Sequence, residues 1–144
     1  MKLEDLTLDI EQHLEIKAPP EKVFASVLER FGKGSTNLAG ESLHMVLEPT
    51  AGGRWYRDRG NGIGHLWGFV QAIKPPLLLE LSGPMFMSYP AINHLEIKVE
   101  PAGNVCKLHF RHRALGMIDP EHRKGVSEGW SHMLNDVKRD SEKA

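Results

Sequence analysis

The chain is short of cysteine, of aromatic residues and of any excess charge. Its 144 residues include one cysteine and 7% aromatics, and 18 Lys+Arg stand against 19 Asp+Glu for a net charge of −1. A lone Cys106 permits no internal disulfide and no multi-cysteine zinc site, which points to a reducing, cytoplasmic setting. Balanced, interspersed charge argues against a bulk nucleic-acid binder. No apolar run approaches the roughly 20 residues of a membrane span. The N-terminal MKLEDLTLDI carries acids where a signal peptide carries bases. There is no internal repeat, linker or low-complexity block, so residues 1–144 read as one domain. A chain of this length can bury about two-thirds of its unfolded surface without a staple.

What is present is clear periodicity. Leu8, Ile10, Leu14 and Ile16 share one parity and Asp9, Glu11, His13 and Glu15 the other, the pattern of a half-buried strand. Pro19-Pro20 ends it. Val23, Phe24, Val27, Leu28 and Phe31 then recur at helical spacing, predicting a helix over 20–31 with Gly32 beyond its end. Residues 32–41 are small and polar and predict a loop. Their Gly-Lys-Gly-Ser lacks the strand in front and the residue order of a phosphate-binding loop. From Leu43 to Leu115 about six strands alternate with turns at 49–53, 59–62, 75–76, 83–84 and 101–104, and such short connections favour an antiparallel sheet. Asp119 as N-cap and Pro120 at the first turn open a final helix, with His122, Val126, Trp130, Met133, Leu134 and Val137 on one stripe.

This order, and five strings, resemble a known family. IKAPPEKVFASV at 16–27, EPTAGGRWY at 48–56, GHLWGFVQAIKPPLLLEL at 64–81, HRAL at 112–115 and EHRKGVSEGWSHML at 121–134 are similar to the START-like (SRPBCC, helix-grip) superfamily. Within it they look like the AHSA1-like branch, named after activators of the Hsp90 ATPase. The resemblance implies an α+β helix-grip (Bet v 1-like) fold: a curved antiparallel β-sheet wrapped around a long C-terminal α-helix, with a cavity between them. Short members of this kind are often ligand binders. The eukaryotic co-chaperones add a second domain, for which this chain has no length. Glu128-Gly129-Trp130 matches the family's helix motif, and Gly129 is expected where the helix approaches the sheet closely.

The function implied is binding of a small apolar or amphipathic molecule between sheet and helix. Candidate lining residues are Trp55, Trp67 and Phe69 on the middle strands, and Phe86, Met87 and Tyr89 in the apolar link between prolines 84 and 90. Asn93, Leu95, Phe110 and His112 on the last two strands, with Trp130 and Met133 on the helix, complete the set. His112 has inward parity and matches a histidine common in the family. It is either a satisfied histidine under the helix or a polar group that orients ligand. Cys106 shares the parity of Leu108 and Phe110 and reads as core. His109 and His112 fall on opposite strand faces and His122 and His132 lie ten apart, so no metal site is assigned. No acid–base pair is evident, and no catalytic residue or cofactor is assigned. Two alternatives belong to other classes. One is a protein-interaction or homodimer module using Met85–Tyr89 as an exposed apolar loop. The other is a cyclase- or hydrolase-type enzyme with His112 as general base. Arg54, Arg57, Arg59, Arg111 and Arg113 would form a basic patch only if their strands are neighbours.

Overall fold

The computed structural model describes residues 2–143. A short 3₁₀ turn at Leu3–Leu6 leads into β1 (Thr7–Ile16), then α1 (Pro20–Phe31), β2 (Met45–Leu47), β3 (Arg54–Asp58), β4 (Gly64–Lys74), β5 (Leu78–Gly83), β6 (Ala91–Ala102), β7 (Val105–Gly116) and α2 (Pro120–Ser141). The seven strands form one antiparallel sheet in the order β1-β7-β6-β5-β4-β3-β2. Its apolar face needs a cover. The two helices supply it: Val23, Phe24, Val27 and Phe31 of α1 and Val126, Trp130, Leu134 and Val137 of α2 are buried against Leu79, Leu81, Leu95, Ile97, Leu108 and Phe110. This is the helix-grip arrangement that the strings imply.

Local sequence explains the element ends. Pro20 stands in the first turn of α1, and the Asp119 carboxylate accepts the Glu121 N–H to cap α2. Gly32 ends α1 at φ −100, outside the left-handed region expected of a helix-terminating glycine. The helices are also joined electrostatically. Arg30 reaches Asp140 at 2.7 Å and Asp136 at 3.7 Å, and Arg139 holds the buried Asp136 at 2.7 Å. A buried carboxylate requires such partners.

One irregularity shapes the interior. The β3–β4 register shifts between Trp55, opposite Gly68, and Tyr56, opposite Leu66, so Trp67 is an extra residue in β4. The bulge reverses the parity beyond it. His65, Trp67 and then Gly68 and Val70 face inward, while Phe69 is 46% exposed on the far face. Gly68 and Gly83 let β4 and β5 approach here: a Cβ on either would run into the backbone of the other strand.

Candidate cavity between helix and sheet

The His112 ring is fully buried and held at both nitrogens. The Trp130 indole N–H donates to Nδ1 at 3.0 Å, and Nε2 lies 2.7 Å from Asn93 Oδ1. An indole only donates, so Nδ1 carries no proton and Nε2–H donates to Asn93. The Asn93 amide in turn donates to the carbonyls of Gly83 and Pro84. Burial pushes the His112 pKa down to about 4, so the ring is neutral near pH 7. With both nitrogens engaged, His112 has no free position for a ligand or a substrate proton. It pins α2 to β6, β7 and the 84–90 link.

That link folds inward. Met85 and Met87 are buried, so the loop is not the exposed apolar surface that the protein-interaction alternative required. Phe86 stands against Trp67 (centroids 5.7 Å) and His122 (5.5 Å), and the Tyr89 hydroxyl hydrogen-bonds His122 Nδ1 at 2.7 Å. An aromatic chain runs on from Trp67 to Trp55 (5.2 Å), Phe31 (5.8 Å), Trp130 (6.2 Å) and Phe110 (4.9 Å). Such pairs add about 0.5–1.5 kcal/mol each beyond their burial.

Beside this chain opens a cavity of about 340 Å³. Its helix wall is His122, Gly125, Val126, Gly129, Trp130, His132 and Met133, and its outer wall is the segment Ser35–Leu38 with Leu43. Trp67 and Phe86 close it. The outer wall holds its shape through a Thr36–Ser42 bridge and the Asn37 side chain, whose carbonyl accepts the N–H groups of Ala39 and Glu41. Gly129 is not a close-approach site: a Cβ at Gly125 or Gly129 would meet nothing within 4 Å. These glycines keep the helix wall clear.

Of the sequence-predicted lining residues, Trp67, Phe86, Trp130 and Met133 meet at this cavity. Trp55, Met87, Asn93, Leu95, Phe110 and His112 lie in the packed core behind it, Tyr89 braces His122, and Phe69 points away. Sequence reasoning passed over the 35–43 wall and Gly125, gave Gly129 a packing role, and placed His122 on the packing stripe without a cavity role. The signals were Leu38 alone in a polar loop and two glycines four apart in a helix. The condition for a five-arginine patch is not met, because β4, β5 and β6 separate β3 from β7. Arg54 is held by Glu48, and Arg111 by Asp9 and Glu11. Cys106 is buried, its thiol donates to the Ala18 carbonyl, and burial pushes its pKa up. No helix is long and apolar enough to cross a membrane, and no group of three or more metal-ligating side chains converges among the described residues.

Comparison with known proteins agrees with this architecture. A Chromobacterium violaceum protein of known structure superposes with a TM-score of 0.69 at 17% identity, covering 94% of this chain and 98% of its own. The Aha1 dimer of Colwellia psychrerythraea gives 0.66 at 20% identity, covering 94% and 96%. The di-domain ARO/CYC StfQ of the steffimycin biosynthetic pathway gives 0.67 at 15% identity, covering 97% of this chain and 52% of that one. No curated protein matches the sequence significantly. The sequence model of one family matches residues 17–139, and the chain therefore belongs to the activator of Hsp90 ATPase homolog 1-like proteins.

Proposed function

We propose that this protein binds a small, mostly apolar molecule in the cavity between α2, Trp67, Phe86 and the 35–43 segment. The observation that carries the reading is the glycine pair. Gly125 and Gly129 each cost a helix about 1 kcal/mol against alanine, and neither is needed for close packing, since both face open space. Stability given up on a helix face without a packing reason fits a wall kept clear for an occupant. Affinity would come from apolar burial, at about 25 cal/mol per Å² before association costs. The test is titration with Nile red, a neutral solvatochromic dye. The wild type is expected to bind it saturably at one site, and Gly129→Leu to lose binding without a fall in melting temperature. Equal binding by the two proteins, or no binding by the wild type, would sink the reading.

Self-association is a second reading, supported by a different surface. Ile92 (72% exposed) and its cross-strand partner Leu115 (57%) stand together on β6 and β7 near Met117 (59%). The Colwellia relative is described as a dimer, and a second copy of this chain is the occupant proposed for that patch. Sedimentation velocity would show a concentration-dependent dimer that Ile92→Lys abolishes. A monomer at every concentration would remove the idea.

A further inference from the structure

A second recess of about 370 Å³ adjoins the first and differs from it in chemistry. It is lined by Arg57, Arg59, Ile63, Gly64, His65, Trp67 and Phe86. Trp67 and Phe86 wall both spaces, so they form the partition between them. Strand geometry explains the placement. Arg57 lies two residues beyond the buried Trp55 and pairs across β2 and β4 with Met45 and His65, so its side chain rises on the inner face. Arg59 follows where β3 ends.

The recess is cationic and contains no carboxylate. Neither Arg57 nor Arg59 is in an ion pair among the described residues, in contrast to Arg30, Arg54, Arg111 and Arg139. The nearest acid in the chain, Asp58, caps the Gly60 N–H at 2.8 Å. Two buried donors here lack a hydrogen-bond partner: Arg57 Nε and Trp67 Nε1. Trp67 is only 9% exposed. The other two indoles are satisfied, Trp55 by the Phe31 carbonyl at 2.8 Å and Trp130 by His112. Buried donors without acceptors are costly and call for an explanation. An anion in this recess would supply acceptors for both, and a guanidinium matches a carboxylate with two parallel hydrogen bonds.

We infer that the molecule bound is an amphipathic carboxylic acid, with its apolar body in the glycine-cleared cavity and its carboxylate beside Arg57, Arg59 and the Trp67 N–H. This rests on the binding reading above and narrows it to a ligand class. The partition aromatics would contact the ligand where its polarity changes.

The experiment compares decanoate with decanol, which share a tail and differ in the head, as competitors of Nile red. Wild type, Arg57→Gln, Arg57→Lys and the exposed Arg59→Gln are measured at low and high salt, with thermal melts to check folding. Decanoate is expected to bind the wild type at least about tenfold more tightly than decanol. Arg57→Gln is expected to bring decanoate to the level of decanol and leave decanol unchanged. Arg57→Lys should keep part of the preference, since it retains the charge but not the fork. Arg59→Gln should weaken decanoate alone, and salt should do the same in the wild type. Equal binding of the two competitors to the wild type overturns the carboxylate subsite and leaves the cavity standing. Equal loss of both competitors in Arg57→Gln and Arg59→Gln does likewise. Failure of both competitors to displace the dye overturns the cavity reading together with the subsite.

Discussion

Replacing both Gly125 and Gly129 by alanine should make this protein more stable and worse at binding. Both positions are interior to α2, and a Cβ at either would meet nothing within 4 Å, so no clash offsets the gain in helix propensity. That gain is about 1 kcal/mol per site, about 2 kcal/mol for the pair. At about 2.1 cal/mol/K of unfolding entropy per residue, 144 residues give about 0.3 kcal/mol/K, so the melting temperature should rise by about 6–7 °C. The two methyl groups project into the 340 Å³ cavity. Overfilling a packed space costs about 1 kcal/mol or more, so dye affinity should fall about fivefold or further. Differential scanning calorimetry and Nile red titration read the two effects on the same sample. A lowered melting temperature would refute the reasoning, because it would mean that the helix face is closed in solution and the glycines serve packing. A raised melting temperature with unchanged dye affinity would separate the glycines from the site.

Two further outcomes concern the core and one the far face of the sheet. The folded-state pKa of His112, about 4, lies below the roughly 6.5 of an unfolded histidine, so the unfolded chain binds more protons between these values. Its contribution is whole above pH 6.5 and is lost as pH falls towards 4, about 3 kcal/mol in all, which urea midpoints across that range should reveal against a flatter His112→Gln profile. Trp130→Phe removes the donor to His112 Nδ1 and should cost about 1–3 kcal/mol by the same assay. Phe69→Thr, on the far face of the sheet, should change stability by no more than about 0.5 kcal/mol and leave dye binding untouched.

The parts of the fold that repeat were legible in the sequence. Period-two alternation placed β1, β6 and β7, and helical spacing placed α1 at its observed bounds, because one buried face per element leaves that signature. The extra residue at Trp67 was not legible. A bulge adds a residue without leaving a period of its own, yet it decides that Phe69 faces out. Gly129 was legible only as a missing side chain. Close approach and open space both favour glycine, and telling them apart requires the opposing surface. His112 was read correctly as inward, but its partners come from β6 and α2, which no local pattern brings together. The 35–43 wall was hidden for a related reason: its lining comes from a loop shaped by side-chain and backbone bonds, not by hydrophobic period.

Helix α2 joins these observations, since it divides its duties by direction. At 3.6 residues per turn, His122, Gly125, Gly129 and His132 point roughly 115° away from Val126, Trp130, Leu134 and Val137. The second group is buried and carries the packing. The first lines the cavity and contributes little apolar burial. A helix anchored by one stripe can afford a poor second stripe, and this is where the cavity is found. Val126 and Trp130 serve both: each is buried and also lines the cavity, and the Trp130 indole stacks on Phe31 and bonds His112. Changes on the glycine stripe should therefore move binding without unfolding the protein, whereas changes at Trp130 should move both together.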